Sequence, residues 1–309
     1  MTANVETMFY VRTTPWHGLG TRVEEALTSQ DALHYSGLDW KVEQEPLMTG
    51  TFKDVPGFKA NIRSDNGTVL GVVSNRYQVV QNEEAFAFTD ELIGEGITYE
   101  TAGSLNGGRK VWLLAKLPER YHLAGEAVEP YIVFTNSHDG SGAIRVAPTP
   151  VRVVCQNTLN LALNTAKRSW SMIHTGGIQA KLEEAKDTLF RASQYMNALQ
   201  EEAERLTMQR VTDRQVMNWV NELLPLEDDA TEKQKANITR LRSDLIHRYF
   251  DAPDLVALPR SGWRFINAVS DFATHAQPIR NTKDYQQNLF AKTIDGHPLM
   301  DKAMRLLAA

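Results

Sequence analysis

Apolar and polar positions alternate with a period of two over short stretches in the first half of the chain, and recur every three to four residues over long stretches in the second. Trp40-Lys41-Val42-Glu43-Gln44-Glu45 alternates as a half-buried strand does. Residues 60–63 and 69–73 flank Asp65-Asn66-Gly67, whose Asn-Gly pair suits a tight turn, so this stretch predicts a β-hairpin. Further strands are expected over 97–103, 111–117, 131–137 and 143–155, with Gly107-Gly108 turning the chain between the first two. Two helices interrupt the strands. Thr28 or Ser29 caps the first, which stops at Gly37, and Asn82 caps the second, with Glu83 and Glu84 in its first turn.

Asn157 is a further cap, opening an apolar helix over 158–168 that ends on Lys167 and Arg168. The pattern changes after Gly176-Gly177. Leu182, Ala185, Leu189, Ala192, Met196 and Leu199 fall at spacings of three and four, which predicts a long amphipathic helix over 178–209. Helices near 213–224, 233–249, 261–274 and 284–290 follow. The fold class is therefore α+β, with an antiparallel sheet and packed helices over 1–175 and a helical domain over 176–309.

A chain of 309 residues, 42% hydrophobic and 23% charged, has the make-up of a folded protein. Its apolar runs fall far short of the roughly 20 residues that cross a bilayer, and its first residues lack an export signal. A single cysteine, Cys155, forms no internal disulfide, and a cytoplasmic setting is expected, with no membrane partner. The net charge of −5 hides an asymmetry. No acidic residue occurs between Asp139 and Glu183, a window that holds Arg145, Arg152, Lys167, Arg168 and Lys181. Such a window predicts a local anion-binding surface.

No phosphate-binding glycine loop is present, and Asn106-Gly107-Gly108-Arg109-Lys110 has the spacing of a hairpin turn. The eight histidines are scattered, without the close spacing of a zinc site. His138-Asp139 has the residue types of a metal nuclease but stands without a second ligand cluster, and the bland reading is a turn between strands. Cys155 with His174 is the one nucleophile and base pair worth testing, against a simpler role for Cys155 as a small buried hydrophobe. Trp16 and His17 form either a recognition pair or a plug sealing a loop. Arg76 and Tyr77 together could hold a phosphate and stack a base.

Three ordered blocks resemble a known family. Pro15-Trp16-His17-Gly18-Leu19-Gly20, then Asn75-Arg76-Tyr77-Gln78-Val79-Val80-Gln81-Asn82-Glu83-Glu84-Ala85-Phe86, then Arg152-Val153-Val154-Cys155-Gln156-Asn157-Thr158-Leu159-Asn160 look like the phage/plasmid-like proteins that carry domain of unknown function 932. The likeness runs roughly from Met8 to Arg210, with an echo at Trp263-Arg264-Phe265-Ile266-Asn267-Ala268-Val269. It implies a setting in phages, prophages and plasmids and carries over no catalytic residue. The order of helix, antiparallel strands and returning helix is also similar to that of single-strand annealing recombinases, which form rings or filaments and hold DNA without ATP. These resemblances, with the basic window, lead to the expectation of a non-enzymatic protein that coats or anneals single-stranded DNA, without a cofactor or a metal and as a homo-oligomer. Arg76, Tyr77, Arg109, Lys110, Arg145, Arg152, Lys167 and Arg168 are its expected nucleic-acid-binding residues. The alternative is a protein that docks on a host or phage protein through its helical half.

Overall fold

The structure, a computed structural model, describes residues 5–11, 20–26, 28–93, 98–152, 170–175, 178–276 and 297–308. It is α+β, with strands β1 (Val5–Tyr10), β2 (Thr21–Arg22), β3 (Val42–Met48), β4 (Asp54–Arg63), β5 (Val69–Ser74), β6 (Thr98–Leu105), β7 (Lys110–Lys116), β8 (Tyr121–Leu123), β9 (Glu126–Ser137), β10 (Ile144–Arg152) and β11 (Trp170–Met172). Helices α1 (Ser29–Tyr35) and α2 (Asn82–Ile93) fall between strands. Helices α3 (Ile178–Met208), α4 (Asp213–Leu223), α5 (Glu232–Asp251), α6 (Gly262–His275) and α7 (Pro298–Ala308) follow them.

The chain packs as two compact units. The first is built from the chain up to Pro118, from Tyr131–Pro148 and from the segment that ends at Ser193. Its large sheet has the order β11-β10-β9-β7-β6-β1-β2, antiparallel wherever its register is defined except between β1 and β2. A second sheet, β3-β4-β5, is antiparallel throughout. The turns are those the glycines dictate. Gly67 sits at φ +70° between β4 and β5, and Asn106, Gly107 and Gly108 all take positive φ between β6 and β7. Thr28 caps α1 through a reciprocal box with Asp31, as its position before the apolar run predicts. The core gathers Phe9, Leu33, Leu38, Trp40, Leu70, Phe86, Tyr99, Leu113 and Phe134.

Inside this unit the small sheet is fastened to the large one by polar contacts. Arg63 of β4 is buried, lies 4.4 Å over the Trp40 ring and pairs with Glu6 of β1 at 2.5 Å and Asp65 at 2.7 Å. Burial alone would lower its pKa, but the two carboxylates outweigh that and raise it.

The second unit contains Glu119–Pro130 and the chain from Gln194 onward. Leu123 of β8 and Val128 of β9 join a core otherwise made by helices: Tyr195, Leu199, Leu206, Val220, Leu245, Tyr249, Trp263, Phe265, Ile266 and Leu307. The stripe predicted for α3 is buried at Ala192, Met196 and Leu199. Thr212, Thr231 and Ser261 cap α4, α5 and α6. The end of α5 is closed by a side chain from α6. Buried Arg264 donates to the carbonyls of Tyr249 (2.8 Å), Phe250 (3.0 Å) and Leu258 (3.0 Å), placing its charge at the negative end of α5. The helix predicted over 158–168 and the one over 284–290 lie outside the described residues. Among the described residues no helix is long and apolar enough to cross a membrane.

Replacing Arg264 by methionine leaves those carbonyls buried without a donor, at ~1–3 kcal/mol for each group. A loss of about 3 kcal/mol or more is expected in urea unfolding followed by helix signal, with Arg264→Lys recovering part of it.

Candidate nucleic-acid interface

A densely bonded polar region of the first unit is the turn after β9, Ser137-His138-Asp139-Gly140-Ser141. Asp139 organises it. Its carboxylate accepts from the Ser137 hydroxyl at 2.6 Å and from the Ser141 backbone N–H at 2.8 Å, the usual way an aspartate fixes the chain two residues on. Burial acts to raise the Asp139 pKa, but these hydrogen bonds and the charge of Lys110 prevail and lower it. Gly140 takes φ +76°.

The small sheet clasps this turn. Asn61 of β4 donates to the His138 carbonyl at 2.7 Å, and the His138 N–H donates to the Arg109 carbonyl at 2.8 Å. On β5, a Cβ at Gly71 would meet the Asp139 Cα at 2.6 Å, so only glycine lets the two backbones come this close.

Both histidines of the region are interior and neutral. The His138 Nε2 lies 2.8 Å from Asn82 Oδ1, while Asn82 Nδ2 donates to the Leu38 carbonyl at 3.1 Å. Asn82 Oδ1 is thus the acceptor, which puts the His138 proton on Nε2 and leaves Nδ1 bare. Burial first, and then the neighbouring His174, push the His138 pKa down to about 3 against an opposing pull from Asp139. His174 is 3.1 Å from the Gln78 carbonyl through Nδ1, which must carry the proton, and burial lowers its pKa as well. Neither His138 Nδ1 nor His174 Nε2 has a hydrogen-bond partner. Among the described residues no three metal-ligating side chains converge.

Tyr77 joins these parts. Its ring stacks on His174 with centroids 4.5 Å apart and planes 15° from parallel, and its hydroxyl donates to the Ser137 carbonyl at 2.6 Å. The base-stacking role expected for Tyr77 is corrected by this placement. The ring is buried, 8% exposed, and one face is already covered by an imidazole. Burial raises its pKa further from neutrality, with Asp139 adding to the effect.

The basic residues sort as follows. Arg76 is exposed beside Tyr77, Arg109 is exposed in the β6–β7 turn, and Lys110 is half-buried opposite Ser137 in the β7–β9 register. Arg76 and Arg109 have no carboxylate partner among the described residues. Arg145 is half-buried on β10 opposite Ser171. Arg152 ends β10, and Lys167 and Arg168 lie outside the described residues, as do Trp16, His17 and Cys155.

Sequence reasoning missed Asn61, Gly71, Ser137 and the true use of Asn82. The side chain of Asn82 is spent on Leu38 and His138 rather than on capping. The cap belongs to Gln81, whose N–H donates to Glu84 at 3.0 Å while its own side-chain amide pairs with both backbone groups of Val42. The Gln81-to-Glu84 spacing was the available signal.

Two outcomes follow. Gly71→Ala forces β5 and the Asp139 backbone apart, and a loss of about 2 kcal/mol or more in chemical denaturation is expected, against under ~0.5 for a surface site. The folded-state pKa of His138 lies below its unfolded value, so its contribution is fully present above about pH 6.5 and drains away as pH falls toward 3, at ~1.4 kcal/mol per pH unit. His174 acts in the same direction, and His138→Gln should flatten the pH dependence of the unfolding midpoint.

No curated protein and no solved structure matches the chain. Residues 69–293, well over half of the sequence and inclusive of the whole Gly71, Tyr77, Asn82, His138 and His174 assembly, match the family described as Domain of unknown function (DUF932), and the chain belongs to that family.

Proposed function

We propose that this protein binds single-stranded DNA without catalysing a reaction on it, and that Arg76, Arg109 and Lys110 contact its phosphates. The observation that carries the reading is that Arg76, beside the buried Tyr77, and Arg109, in the β6–β7 turn, are both exposed and have no carboxylate partner among the described residues, on segments braced against the turn after β9. A phosphate backbone needs cations held at fixed positions and left unspent by internal ion pairs. The half-buried Lys110 is close enough to Asp139 for its charge to lower the Asp139 pKa, so it is the more internally engaged of the three.

Stacking does not fall to Tyr77 in this reading, so base contacts are secondary and binding is led by charge. Sequence tolerance follows from that, since phosphates carry no base identity. A protein that coats or anneals strands during phage or plasmid replication, working in the host cytoplasm as an assembled oligomer, fits this mode of binding.

The test is fluorescence anisotropy of the nuclease-treated protein with labelled single-stranded and double-stranded oligonucleotides across a salt series. Preferential single-strand binding that weakens steeply with salt is expected. The triple variant Arg76→Ala, Arg109→Ala, Lys110→Ala should reduce the slope of log affinity against log salt by about 2, at ~0.7 for each lost phosphate contact. Binding that is absent at low salt, or whose slope the triple variant leaves unchanged, overturns the proposal and turns attention to a host or phage protein as the partner.

A further inference from the structure

The small sheet buries one face against the first unit and leaves the other open. On the buried face stand Val42, Asn61, Arg63, Gly71 and Val73. On the open face the register stacks Glu45, Ala60 and Val72 in one rung and Glu43, Ile62 and Val69 in the next, with Phe58 opposite Ser74 beyond them. Phe58, Val69 and Val72 each leave about half of their surface in water, at 50%, 49% and 51%. Met48 and Phe52, the latter 87% exposed, are further exposed apolar residues at the β3–β4 turn. A strand face of this composition on a soluble surface is the mark of an interaction site. The face also has a sign. Glu43 and Glu45 border it on β3, exposed and without a cationic partner among the described residues.

The opposite combination occurs in the second unit. At the corner from α3 to α4, Met208 is 84% exposed and Met217 is 44% exposed. Arg210 and Arg214 stand beside them in sequence, exposed and without carboxylate partners among the described residues. Two other exposed arginines of this unit are paired, Arg205 with Glu202 and Arg260 with Asp213. One patch therefore offers apolar side chains with unpaired carboxylates, and the other offers flexible methionines with unpaired guanidiniums.

We propose that the open face of the β3–β5 sheet in one molecule docks on the α3–α4 corner of a second copy of this chain. The two surfaces differ, so the contact is heterologous, and each copy keeps one free patch to receive the next. Phe58, Val69 and Val72 seat against Met208 and Met217, and Glu43 and Glu45 meet Arg210 and Arg214. The contact does not rest on DNA binding, and Arg76, Arg109 and Lys110 take no part in it.

Sedimentation velocity of the DNA-free protein over a range of concentrations tests it. The native chain should assemble beyond a dimer as concentration rises. Glu43→Lys with Glu45→Lys should lower association at least tenfold, and so should Arg210→Glu with Arg214→Glu. The four substitutions combined restore the opposite charges and should recover most of the association. All four positions are exposed, and an unchanged thermal unfolding midpoint certifies that each variant is folded. A native chain that stays monomeric, an assembly indifferent to either reversal, or a combined variant that fails to recover overturns the proposal. An isologous dimer would be disturbed by the β3 reversal alone, and that result also counts against it.

Discussion

The close crossing of β5 over the turn after β9 sets the geometry of the first unit. At Gly71 the small sheet runs so near the Asp139 backbone that any side chain would separate them. That approach brings Asn61 to the His138 carbonyl and places the chain leaving β5 so that Tyr77 reaches Ser137. Each of these hydrogen bonds contributes only about 1 kcal/mol net. Their joint effect is positional, since all of them fix one turn against one hairpin and leave it little freedom.

Rigidity at that turn decides what the neighbouring cations can do. A side chain that must meet a phosphate gains most when its backbone anchor loses no entropy on binding. Lys110 is anchored in the β7–β9 ladder, Arg109 in the turn whose carbonyl accepts from His138, and Arg76 one residue from the buried Tyr77 ring. Burial keeps His138 and His174 neutral, in the case of His138 against the pull of the Asp139 carboxylate, so neither ring adds positive charge beside these cations.

Much of the architecture was legible because it is written in local chemistry. The Asn66-Gly67 turn, the Gly107-Gly108 turn, the capping box at Thr28 and the period of α3 all depend on residues close in sequence. The short strands β1, β2, β8 and β11 carry too few residues for a period to emerge, and β1 is held by its pairing with β6, far along the chain. The surroundings of the candidate cations were less legible. Arg76 and Arg109 are exposed and Lys110 is half-buried, while Tyr77 and Asn82 were assigned by what their types do in isolation. Both are interior because of partners 60 and 56 residues away, Ser137 and His138, and no local pattern encodes that distance.

Partnership separates structural from available charge more sharply than burial does. Arg63, Arg248 and Arg264 are each consumed by carboxylates or carbonyls inside their own unit, and replacing any of them would be read first as instability. Exposed Arg260 is likewise bound to Asp213, and surface pairs of that kind contribute little to stability while occupying the guanidinium. What remains in the described residues are exposed guanidiniums without a carboxylate partner among them: Arg22, Arg76 and Arg109 in the first unit, and Arg120, Arg210, Arg214 and Arg305 in the second. An exposed guanidinium left in water costs the fold little and stays available to a partner's charge. Both proposals therefore rest on groups of that kind, Arg76 and Arg109 in one unit and Arg210 and Arg214 in the other, rather than on the charges the fold has already used.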